Sequence, residues 1–109
     1  MGSKSIVTNY LMVSIMSGER AECRHHLVFG RGKRDKAEED GLWIPLTAQE
    51  HTMADKRCER IHDNPRAEYL SKLAGQLAYE KEYYRRQLYD AGQDPAREVF
   101  RERYGESYA

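Results

Sequence analysis

The sequence predicts an α+β fold: an N-terminal β-hairpin plus helix, followed by a long helix and a short C-terminal helix. Three observations carry this expectation. Apolar β-type stretches and glycines crowd the chain before Asp63, a helix-capping pattern follows the last of those stretches, and helical spacing takes over after Asp63.

The opening "SIVTNYLMVSIMSG" is apolar but broken by Asn9 and by Thr and Ser residues, and it reads as one or two strands rather than a signal peptide. "HLVFG" and "GLWIPLT" come next, separated by "RGKRDKAEED", which reads as a hairpin with a long polar loop. Pro45 places the second strand at a sheet edge or ends it. Thr47-Ala48-Gln49-Glu50 is a capping box that starts a helix, giving a ββα order. Asn64-Pro65 then caps a long helix whose Leu70, Leu73, Ala74, Leu77, Tyr84 and Leu88 follow helical spacing up to Gly92. Asp94-Pro95 opens a last helix that stops at Gly105. Seven of the eight tyrosines fall after Asp63, at intervals that suit packing against the ββα unit. Residues 1–109 thus read as a single domain, with 5–62 the ββα unit and 64–105 a helical tail packed on it.

Composition narrows the function classes. The 109 residues carry zero formal net charge, so a protein held on nucleic acid by bulk charge alone is not expected. Local balance differs: Arg20, Arg24, Arg31, Lys33, Arg34 and Lys36 face only Glu22 and Asp35 over one stretch. No apolar run approaches the roughly 18 residues of a membrane helix, so no membrane partner is expected. The two cysteines, Cys23 and Cys58, form no CxxC and suit a reducing, cytoplasmic setting.

The four histidines are the chemical signal. His25, His26, His51 and His62 all lie on the candidate strands or on the helix and loop after them, and none lies beyond His62. Neutral imidazole binds divalent transition metals. Neighbours on a strand point to opposite faces, so His25 and His26 divide their work: one toward a metal, the other free to take a proton from water. A metal ion and a base together suit phosphodiester hydrolysis. His62 comes eleven residues after His51. On one continuous helix they stand about 16 Å apart at 1.5 Å per residue. Both bind one ion only if the helix breaks between Thr52 and Arg60.

The stretches "ECRHHLVFG", "RDKAEEDGLWIPLTAQEH" and "IHDN" resemble the HNH nuclease superfamily, the ββα-metal or treble-clef-like fold, and in particular its small phage-encoded HNH-like members. The resemblance covers about residues 22 to 64 and extends more weakly through "LSKLAGQLAYEKEY" and "DPAREVFRERYG". It implies metal ligands at His25 and His51, with His62 as a further ligand, and a general base at His26. Arg24, Arg31, Lys33 and Arg34 are the candidate phosphate-binding residues. The implied cofactor is a divalent ion (Zn, Mg, Mn or Ni) and the implied substrate is DNA. The sequence departs from the family pattern in three places. The base-orienting asparagine position falls near Asp40-Gly41. Glu50 and Thr47 stand where relatives carry His and Cys. Leu11 and Ser14 replace an upstream CxxC that binds a structural zinc. These departures also suit a second expectation: a non-catalytic HNH-like phage protein that binds a nuclease or nucleic acid, such as an anti-CRISPR-type inhibitor.

Overall fold

The computed structural model describes residues 4–56, 59–86 and 95–109. Strand β1 (Cys23–His26) pairs antiparallel with β2 (Trp43–Leu46), with His25 opposite Ile44 and His26 opposite Trp43. In a two-stranded sheet both strands are edges, which is why β2 accommodates Pro45 without losing a ladder bond. The class is α+β, as the sequence predicts.

The polar segment between the strands is not a loop. Lys33–Asp40 forms helix α1, closed at both ends by glycines in the left-handed region, Gly32 at φ 75° and Gly41 at φ 74°. Only Ala37 of this helix is buried, so it has no apolar stripe to reveal it in the sequence. Its polar side chains reach α3 (Pro95–Tyr104) instead: Arg103 Nε donates to Asp40 Oδ2 at 2.6 Å and Tyr104 Oη to the same oxygen at 2.7 Å. Burial, followed by the Asp40 contact, pushes the Tyr104 phenol well above its ordinary value.

The N-terminal run is not a strand either. Among the described residues it holds only an isolated bridge, Val13 to Arg20. The hydroxyls of Ser5, Thr8, Ser14 and Ser17 each accept from a backbone N–H two residues on, and these turns displace a regular ladder. The run straps the sheet through Ile6 N to Gly41 O and Ile15 N to Pro45 O, and leaves Tyr10, Met12 and Met16 exposed.

The capping box forms as expected: Thr47 N donates to Glu50 Oε1 at 2.9 Å and Glu50 N to Thr47 Oγ1 at 3.3 Å. What it starts is a single π-helical turn, Gln49–Met53, ended by Ala54 in extended backbone. The chain then doubles back, with Ile61 N bonded to Glu50 O and His62 N to His51 O. Asp63 takes φ 61°, a left-handed conformation that aspartate tolerates, and redirects the chain into helix α2 (Pro65–Arg86).

On α2 the face turned inward is Ser71, Gly75, Gln76 and Glu80, not the leucine stripe; Leu70 and Leu77 are exposed. Gly75 is the reason. A Cβ there would come within 2.8 Å of Val28 Cγ2 and 2.9 Å of Leu27 Cβ, so glycine lets α2 lie directly on the chain that leaves β1. Val28, Ala37, Leu42, Phe100 and Tyr104 form one core cluster, joined by Tyr79 and Tyr108; Leu27, Ile44, Leu46 and Ile61 form another. Tyr79, Tyr104 and Tyr108 therefore pack as expected, while Tyr69 is exposed. Leu88, Gly92, Asp94 and Cys58 lie outside the described residues.

Candidate metal centre and base

Alternation along β1 sends His25 inward, fully buried, and His26 toward α1, with 8 % of its surface exposed. The doubling-back after Met53 brings His62 to His51, and α2 supplies Ser71 beneath His25. The rings of His25, His51 and His62 form a triangle with centroid separations of 5.1, 5.1 and 4.6 Å. One nitrogen from each lies within 4.8 Å of the others. The helix break that a shared ion requires between Thr52 and Arg60 is present, at Ala54.

Hydrogen bonding shows which nitrogen of His25 is left free for an ion. Ser71 Oγ donates its one proton to Leu27 O at 2.8 Å, so at 2.7 Å it accepts from His25 Nε2–H. His25 Nδ1 is then a bare lone pair, and among the described residues it is the buried side-chain polar atom that has no partner. A metal cation is the natural occupant of such a position, because a buried acceptor left unsatisfied is costly. Burial, followed by the charges of His51, His62 and His26, lowers the His25 pKa to about 3. The ring therefore stays neutral and available as a ligand at neutral pH. Burial and then His62 lower His51 in the same direction.

His62 Nδ1 lies 3.4 Å from Glu68 Oε2, the carboxylate–imidazole pairing that orients metal-binding histidines. Its Nε2 faces His51 Nε2 at 3.0 Å. Two ligands on a tetrahedral ion with bonds near 2 Å stand about 3.3 Å apart, so this pair is nearly at coordination spacing. Phe29 walls the cluster, 4.8 Å from the His62 ring and 5.7 Å from His25. A donor set of three imidazoles fits a divalent ion of the zinc class better than magnesium, which selects oxygen ligands.

Beside the triangle, Arg24, His26, Phe29, Arg34, His51, Thr52 and His62 line a cleft of about 350 Å³. Arg34 Nε donates to His26 Nδ1 at 3.4 Å, and His26 Nε2 meets Glu38 Oε1 at 2.8 Å. Two of the expected phosphate ligands thus reach the cleft and two do not. Lys33 turns to the C-terminal tail, bonding Glu106 at 2.7 Å and Tyr108 Oη at 2.9 Å, and Arg31 is exposed outside the lining. Cys23 points its thiol at the carbonyls of Leu46 and Thr47, and burial raises its pKa, which keeps it a thiol rather than a nucleophile.

Sequence reasoning missed Ser71, Glu68 and Glu38. Nothing short-range marks them, since the first two come from α2 and the third from a helix with no apolar period. Ser14, Thr47 and Glu50, the positions that depart from the zinc-binding pattern, converge as a hydrogen-bonded cluster, with Ser14 Oγ on Glu50 Oε1 at 2.6 Å. Burial alone would raise the Glu50 carboxyl, yet the bonds from Ser14, Thr47 and Ser17 outweigh it and hold it below the usual range.

Comparison with models of protein families, with curated proteins and with solved structures found no match to this chain. No helix among the described residues is long and apolar enough to cross a membrane.

Proposed function

We propose that this chain is a metal-dependent endonuclease of the HNH type that hydrolyses phosphodiester bonds in DNA, acting in the cytoplasm. The supporting observation is the orphaned His25 Nδ1, buried among the His51 and His62 rings, with His26 Nδ1 at the neighbouring cleft. His25, His51 and His62 would hold the ion. Bound there, a divalent cation supplies positive charge to the scissile phosphate and the leaving oxygen. His26 Nδ1 accepts the proton of the attacking water, and Arg34, which lies on that nitrogen, moves onto a phosphate oxygen and uncovers the lone pair. Arg24 lines the same cleft and meets the flanking backbone. Phe29 packs on the His25 and His62 rings where they meet the cleft.

Plasmid nicking across Mg²⁺, Mn²⁺, Ni²⁺ and Zn²⁺, paired with metal analysis of the purified chain, tests the reading. His26→Ala should slow cleavage about 10²- to 10⁴-fold, the range of general-base catalysis. A variant as fast as the parent sinks it.

A second reading is a binding protein on the same scaffold, contacting a nuclease or another protein partner. It is favoured by the exposed Tyr10, Met12, Ile15 and Met16, and by zero net charge. A parent chain that binds metal but nicks no DNA with any of the four ions would select it.

A further inference from the structure

Resting on the nuclease reading, we propose that Glu38 is the positioning residue for His26: it fixes the ring in the tautomer that leaves Nδ1 unprotonated, as the acceptor under Arg34. Two neighbours together require that tautomer. A carboxylate only accepts, so the 2.8 Å contact from Glu38 Oε1 needs the proton on His26 Nε2. A guanidinium only donates, so the contact from Arg34 Nε needs a lone pair on His26 Nδ1. A neutral imidazole satisfies both in one way.

The carboxylate is itself held. Its other oxygen accepts from Arg24 Nη1 at 2.6 Å, and the Arg24 guanidinium sits 3.9 Å over the Trp43 ring. Arg24 and His26 are two apart on β1 and share a face, so one residue of α1 reaches both while His25 looks the other way. Stability is a poor explanation for this arrangement. The side chains of Arg24 and Glu38 are 43 % and 27 % exposed, and ion pairs so open to solvent contribute little to folding.

The pairing also answers the missing asparagine. Asp40, which lies at that position, is committed to Arg103 and Tyr104. Glu38 stands just before it on α1 and supplies the orienting oxygen instead.

Long-range ¹H–¹⁵N spectra of the metal-free, ¹⁵N-histidine-labelled full chain read the tautomer directly. The parent should show His26 protonated at Nε2, with that proton slowed in exchange. Glu38→Ala should lose the slow exchange, whereas Glu38→Gln, whose amide oxygen still accepts, should keep it. In nicking assays Glu38→Ala should lower kcat about 10- to 100-fold, as loss of an orienting partner does, with KM unchanged and Glu38→Gln restoring most of the rate. An Nδ1–H tautomer in the parent overturns the proposal without any variant. So does a Glu38→Ala chain whose His26 proton and cleavage rate match the parent. A parent that cleaves nothing overturns the nuclease reading alone, and the ring proton then decides the role of Glu38.

Discussion

At the scale of single residues, the site depends on hydroxyls and carboxylates that hold imidazoles in one state. Ser71→Ala removes the acceptor for His25 Nε2–H, and zinc competition titration should show metal affinity about 10- to 100-fold weaker. Ser14→Ala should cost about 1.5–3 kcal/mol in urea unfolding, because it deletes a hydrogen bond to a charged group. Its pH dependence has a definite sign. The Glu50 carboxyl is lower in the folded state, so its stabilisation is full above the ordinary carboxylate value and is lost as pH falls through the folded one. The variant should show a shallower loss of stability on acidification than the parent. The opposed directions of His25 and His26 were legible in the sequence, because they result from strand alternation alone. Ser71 and Glu38 were not, because their partners lie 46 and 12 residues away in chain order.

At the scale of elements, glycines and caps decide more than apolar periodicity does. The second strand, the capping box, the start of α2 at Asn64-Pro65 and the stop at Gly105 all read correctly, since each rests on a local preference of the backbone. The first strand did not, since β1 ends at His26 where "HLVFG" begins, and the N-terminal run holds turns in place of a strand. Helix α1 did not, because charge surrounds its one buried alanine and α3 holds it through ion pairs. The leucines of α2 misled for the opposite reason: their spacing is helical, but Gly75 turns a different face inward. Gly75→Ala should therefore destabilise the protein by about 1–3 kcal/mol, the cost of overpacking, as a lowered Tm. Leu70→Ser, on the exposed face, should stay within about 0.5 kcal/mol of the parent.

At the scale of the whole molecule, the three-histidine cluster joins three separate pieces: β1, the π-helical turn, and the segment that returns from it. An ion bound there would cross-link them and stabilise only the folded chain. Zinc at a hundred times its Kd should add about 2.7 kcal/mol, seen as a rise in Tm that a chelator reverses and that His51→Ala abolishes. By itself the sequence determined the fold class, the order of the hairpin and the long helices, and which imidazoles were available, because these depend on local propensity and residue chemistry. Only the tertiary structure decided that His62 meets His51, that two of four expected cations reach the cleft, and that Glu38 and Ser71 lie in hydrogen-bond contact with the rings of His26 and His25. Those outcomes depend on how the chain reverses after Met53 and on how closely α2 approaches β1, and such distances arise from packing across the molecule rather than from spacing along it.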